Sequence, residues 1–176
     1  MQEKANDKQA VPAQLDLVHR ALAALYQRTG SLPPLYIISP FKRIREALFR
    51  QISNPQNWAG LITSDSVGIP KKSALQAWAK ARIGTVHTFQ GKEESIVWMV
   101  LGCDADTLAA AGWAAAKPNL LNVALTRTQH RFFVIGDVEL WGGLPHFRAA
   151  HCEASPRLRP DQFLMQIRQV YSATLV

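Results

Sequence analysis

Three short stretches of the 176-residue sequence carry side chains whose types and spacing suit the handling of an anion. The first is Ser39-Pro40 followed by Lys42, Arg43, Arg45 and Arg50 against a single acid, Glu46. Free backbone N–H groups at a helix start favour an anion, and four cations on two turns repel one another unless solvent or something negative separates them. A solvated basic face explains the same residues. The second stretch is RIGTVHTFQGKEES, residues 82–95, in which Thr85, His87 and Thr88 can meet a phosphate backbone while Gln90 and Glu93 face another ligand. A polar strand-to-loop turn has the same composition.

The third stretch is LLNVALTRTQH, residues 120–130. Leu120, Leu121, Val123, Ala124 and Leu125 leave almost no polar side, which predicts a buried helix. An arginine at the end of such a helix, Arg127, is costly unless a carboxylate or a bound phosphate meets it. Either an internal salt bridge or a nucleotide supplies that partner. Asn122, by the same argument, needs hydrogen-bond partners in the core.

The elements that position these residues follow from periodicity. Leu15, Val18, Leu22 and Leu25 recur at helical spacing over 13–29, with Asp16 and Arg20 four apart and Gly30 as the cap. LYIIS (35–39), between prolines, reads as a strand buried on both faces, and Ser39 and Pro40 are expected to open the next helix as N-cap and first residue. A short strand at 60–63, a helix at 73–81, and apolar strands at 82–87 and 95–102 come next. The Ala-rich segment 104–116 reads as a connecting helix, 118–129 as the buried helix, and 131–136 as a final core strand. Helices at 144–150 and 161–171 complete the chain. Strands alternating with helices predict an α/β fold with a mainly parallel sheet, whose ligands bind at the carboxyl ends of the strands.

Composition narrows the function classes. At 48% hydrophobic and 19% charged residues the chain is neither disordered nor fibrous, and no apolar run approaches the roughly 18 residues of a membrane-spanning helix. Cys103 and Cys152 are too few for a disulfide framework or a zinc site. With no signal-peptide shape at the start, an intracellular, cytoplasmic setting is expected. A net charge of +7 fits a polyanionic partner such as nucleic acid or nucleotide phosphate.

In order and spacing, the three stretches together resemble superfamily 1 helicases. ISPFKRIREAL is similar to helicase motif IV, TVHTFQGKE to motif V, and NVALTRTQHRFFVIGD to motif VI. The resemblance spans residues 32–142 and is to the second RecA-like motor domain, in the nonsense-decay-type branch. It implies a RecA-like, P-loop NTPase-type α/β fold over 13–150, after a polar lead at 1–12 and before a helical extension at 151–176. It also implies that Arg127 is an arginine finger on the γ-phosphate of ATP and that Arg45 has a similar phosphate role. Glu93 matches the acid that bonds the nucleotide ribose, with Gln90, Gly91 and Lys92 in the loop coupling nucleotide to nucleic acid. Thr85, His87, Thr88 and Ser39 match positions that touch a nucleic-acid backbone.

A helicase motor also needs a GxxxxGK[ST] loop and a carboxylate pair for Mg²⁺, and neither occurs in the sequence; Lys72-Ser73 lacks the preceding glycine. The expectation is therefore half of a composite site. ATP with Mg²⁺ is shared with an N-terminal RecA-like helicase domain, single-stranded DNA or RNA is the track, and the chain alone does not hydrolyse ATP. The competing reading is an ATPase-inactive binding module for nucleic acid or protein. Lys92 stands where relatives often have Arg, the 104–116 segment is short, and the C-terminal helices match no motif.

Overall fold

The computed structural model describes residues 9–63, 66–89, 91–116, 118–153 and 157–173. Helix α1 (Pro12–Thr29) buries Leu15, Val18, Leu22 and Leu25, and ends at Gly30, whose N–H donates to the Tyr26 carbonyl at 2.8 Å. Strand β1 (Tyr36–Ser39) is buried along its whole length, as a central parallel strand must be. Helix α2 (Lys42–Ile52) turns Ile44, Ala47, Leu48 and Ile52 into the core.

Helix α3 (Lys72–Arg82) passes directly into β2 (Ile83–Thr85), after which the chain winds into a 3₁₀ turn, Val86–Phe89. Strand β3 (Glu94–Gly102) is followed by α4 (Leu108–Ala115), α5 (Pro118–Leu125) and β4 (Thr128–Gly136). Helices α6 (Val138–Trp141), α7 (Phe147–Glu153) and α8 (Pro160–Ala173) finish the described chain.

The four strands form one sheet in the order β2-β1-β3-β4, parallel throughout. Ile37 pairs with Ile83 on one side and Trp98 on the other, and Trp98 in turn pairs with Phe133. Because β2 lies to one side of β1 and β3 to the other, the connections diverge between β1 and β3, and a crevice opens there at the carboxyl edge. Helix α8 belongs to the same core: Phe163 packs edge-on against Trp98 and Phe133, with centroids 5.5 and 5.4 Å away.

Several sequence expectations need correction. Residues 60–63 form a turn and irregular chain, having no strand to pair with. Ser39 ends β1 rather than capping a helix; Phe41 is the N-cap of α2, and Pro40 lies outside it. The strand expected over 82–87 stops at Thr85. The helix expected to reach 129 ends at Leu125, because Thr128 already pairs with Glu94 of β3. Strand β4 is an edge strand, not a core one: Ile135 is its buried residue, while Val134 is 46% exposed.

Candidate functional site

In β2, Gly84 leaves no room for a side chain. A Cβ there would lie 2.6 Å from the Thr88 Cβ and 2.7 Å from the Phe89 ring. That close approach lets the 3₁₀ turn fold back on the strand, so the Thr85 N–H donates to the Thr88 hydroxyl at 3.0 Å and the two hydroxyls sit 3.2 Å apart. Phe89 is buried and stacks on Tyr36 at 4.1 Å, anchoring the turn to β1. His87 and Thr88 are left exposed at the carboxyl edge.

From there the chain returns to the other edge. Gly91 has φ +79°, the left-handed region that a residue with a Cβ resists, and the Lys92 N–H donates to the Phe89 carbonyl at 3.0 Å. Glu94 then opens β3 in a salt bridge with Arg82, whose guanidinium lies over the Tyr36 ring 5.3 Å from its centroid. That pair consumes Glu94 and leaves Glu93 as the exposed acid of the loop. The Gln129 amide donates to Glu93 at 3.2 Å.

Arg127 meets this loop from the turn before β4. Its Nε donates to the Val123 carbonyl at 3.3 Å, Nη1 to the Lys92 carbonyl at 3.4 Å and Nη2 to the Thr126 hydroxyl at 3.3 Å. All three acceptors are neutral, and among the described residues no carboxylate pairs with Arg127. Of the two partners open to it from sequence, an internal salt bridge is therefore not the one formed. The desolvation premise also changes: Arg127 is only half-buried, and Asn122 is exposed, needing no partner in the core.

The expected site divides between the two edges of the sheet. Ser39, Thr85, His87 and Thr88 stand at the carboxyl edge, whereas Gly91, Lys92, Glu93 and Arg127 stand at the amino edge, before β3 and β4 rather than after a strand. Thr85 is level with Ser39, two residues beyond the Ile37–Trp98 pair, so about 20 Å of strand separates the two groups. Ser39 is buried, and its hydroxyl accepts the Phe41 N–H at 3.2 Å; it shapes the start of α2 rather than facing a ligand. Arg45, half-buried in the first turn of α2, is not in contact with Arg127 and has no ion pair among the described residues. Gln90 lies outside the described residues.

Sequence reasoning missed three residues here. Gly84 carries the turn, Gln129 holds Glu93, and Trp113 of α4 lines a cleft with Thr85 and His87. The glycine inside a three-residue strand and the lone indole in an alanine run were the available signals.

A parallel sheet flanked by helices, in this strand order, is a RecA-like α/β domain. Residues 1–139 match the family described as AAA domain, and the chain belongs to that family. It is a superfamily 1 helicase-like domain. No curated protein matches the sequence. No helix among the described residues is long and apolar enough to cross a membrane.

Proposed function

We propose that the chain is the second motor domain of an ATP-dependent DNA or RNA helicase of the nonsense-decay-type branch. Its ATP site is shared with an N-terminal RecA-like domain that brings the phosphate-binding loop and the Mg²⁺ carboxylates. The observation that carries the reading is Arg127, a guanidinium oriented by three neutral oxygens and paired with no described carboxylate. Such a group is preorganised and keeps its full charge for an incoming phosphate.

The residues at the amino edge fit a nucleoside triphosphate. Arg127, at this edge, offsets charge that develops on the transferred phosphoryl oxygens, and Arg45, which α2 carries from the carboxyl end of β1, assists from outside this group. Glu93 accepts a ribose hydroxyl, and Gly91 and Lys92 carry the chain from the turn to that acid, with Gln90 proposed to act in the same coupling. When bound, ATP with Mg²⁺ supplies the phosphoanhydride whose hydrolysis drives the cycle. At the carboxyl edge, Thr85, His87 and Thr88 contact the backbone of a single strand. Closure on the nucleotide then moves the strand-holding edge as one body with the sheet.

The test is the ATPase rate of the chain joined to its N-terminal domain. Arg127→Ala lowers kcat about 1,000-fold or more while nucleotide still binds, and Arg127→Lys does not restore it, because a point charge does not reproduce the planar fork. A variant within tenfold of the parent rate overturns the arginine-finger role. A two-domain protein that binds single strands but hydrolyses no ATP makes the domain a binding module instead.

A further inference from the structure

At the carboxyl edge of the sheet, beside the ends of β1 and β2, lies a cleft of about 730 Å³, within the size range of small-ligand sites. Pro40 and Lys42 from the start of α2, Thr85 and His87 from the turn after β2, and Trp113 and Leu120 from α4 and α5 line it. No Asp or Glu is among its lining residues, and Lys42 has no ion pair among the described residues. The cleft is therefore cationic and aromatic together.

Trp113 stands out on its helix. Ala111, Ala114 and Ala115 are fully buried and let α4 pack closely, whereas Trp113 is 53% exposed and lines the cleft together with the buried Phe41, the two rings tilted with centroids 6.4 Å apart. A half-exposed indole beside unneutralised positive charge suits a ligand that has both a π-face and an anionic backbone. An acidic peptide satisfies the charge but not the indole.

We infer that Trp113 is a base-stacking platform: one base of a single-stranded nucleic acid lies on the indole while its flanking phosphates face Lys42 and the Thr85–His87 turn. Lys42 contributes charge only, and Trp113 contributes affinity that does not depend on salt. The inference rests on the proposed use of the carboxyl edge as a single-strand track, which assigns it no stacking residue.

The experiment measures binding of the full chain to fluorescein-labelled dT₁₂ and rU₁₂, and to a dT₁₂ with its central bases replaced by abasic sites. Trp113→Ala weakens dT₁₂ and rU₁₂ binding about tenfold, and Trp113→Phe stays within about threefold. The abasic oligomer loses about tenfold on the unsubstituted chain and nothing further on Trp113→Ala. The salt slope is unchanged by Trp113→Ala and falls by about 0.7 with Lys42→Ala. Equal affinity of the unsubstituted chain for dT₁₂ and the abasic oligomer overturns the stacking role and leaves the strand track standing. Binding to neither dT₁₂ nor rU₁₂ overturns both, and binding to an acidic peptide but no oligomer assigns the cleft to a protein partner. Should Trp113→Ala fail to fold, the abasic comparison and Trp113→Phe decide alone.

Discussion

Arg127 and Lys92 clamp the amino edge of the sheet: Nη1 of Arg127 donates to the Lys92 carbonyl at 3.4 Å, and the Arg127 carbonyl in turn accepts the Glu94 N–H at 2.9 Å. The two contacts tie the loop before β3 to the turn before β4. Gly91, with its positive φ, sets the direction of the Lys92 carbonyl, so the orientation of Arg127 depends on the backbone of the neighbouring motif. On the proposed reading, the phosphate-facing group and the ribose-facing acid are thus one unit.

Glu93 tests the nucleotide half of that unit. Glu93→Ala in the two-domain enzyme is expected to raise KM for ATP about tenfold with kcat little changed, the signature of a lost ground-state contact. Gln129→Ala, which frees Glu93 from its amide partner, moves KM less. A fall in kcat with unaltered KM would remove Glu93 from the ribose role.

Gly84 tests the turn. Its Cβ would press on Thr88 and Phe89 at under 3 Å, so Gly84→Ala is expected to cost about 1–3 kcal/mol of stability, read by denaturant titration. It also separates the Thr85 and Thr88 hydroxyls and weakens oligonucleotide binding. Thr88→Ala removes the same hydroxyl pair without overpacking and separates the two effects.

His19 gives the fold a pH dependence. The ring is buried edge-on to Trp58, Nδ1 lies 3.4 Å from the Gln51 amide, and Nε2 has no hydrogen-bond partner among the described residues. Burial holds its pKa down to about 4 from 6.5, against the opposing pull of Asp16. The unfolded chain therefore takes up a proton between pH 6.5 and 4 that the folded chain refuses. Stability is fully present above 6.5 and falls as pH drops to about 4, by a few kcal/mol at most. Asp16 and Arg50 line the same hollow. His19→Leu is expected to flatten the slope between pH 4 and 6.5 in urea titrations; an unchanged slope would put the dependence elsewhere.

The two cysteines should react differently. Burial pushes the Cys103 thiol upward, with a Thr107 hydrogen bond opposing it and Asp104 adding to it, whereas Cys152 is exposed. Near neutral pH, iodoacetamide is expected to label one thiol per native chain, at Cys152, and two in denaturant. Mass spectrometry of the peptides checks the assignment.

The sequence by itself determined the local elements with strong periodicity. The apolar runs at 35–39 and 95–102 are β1 and β3, the helical spacing from Leu15 to Leu25 is α1, and Gly30 is its cap. The residue types of the candidate site were also legible, because guanidinium, carboxylate and hydroxyl groups beside strand ends can be read in one dimension. Tertiary structure alone decided which edge each residue occupies, that β4 is an outer strand, that Asn122 is exposed, and that α5 yields to β4 at Leu125. The physical reason is that propensity acts between neighbours in the chain, whereas burial, strand pairing and the charge around Arg127 depend on groups brought close only by folding.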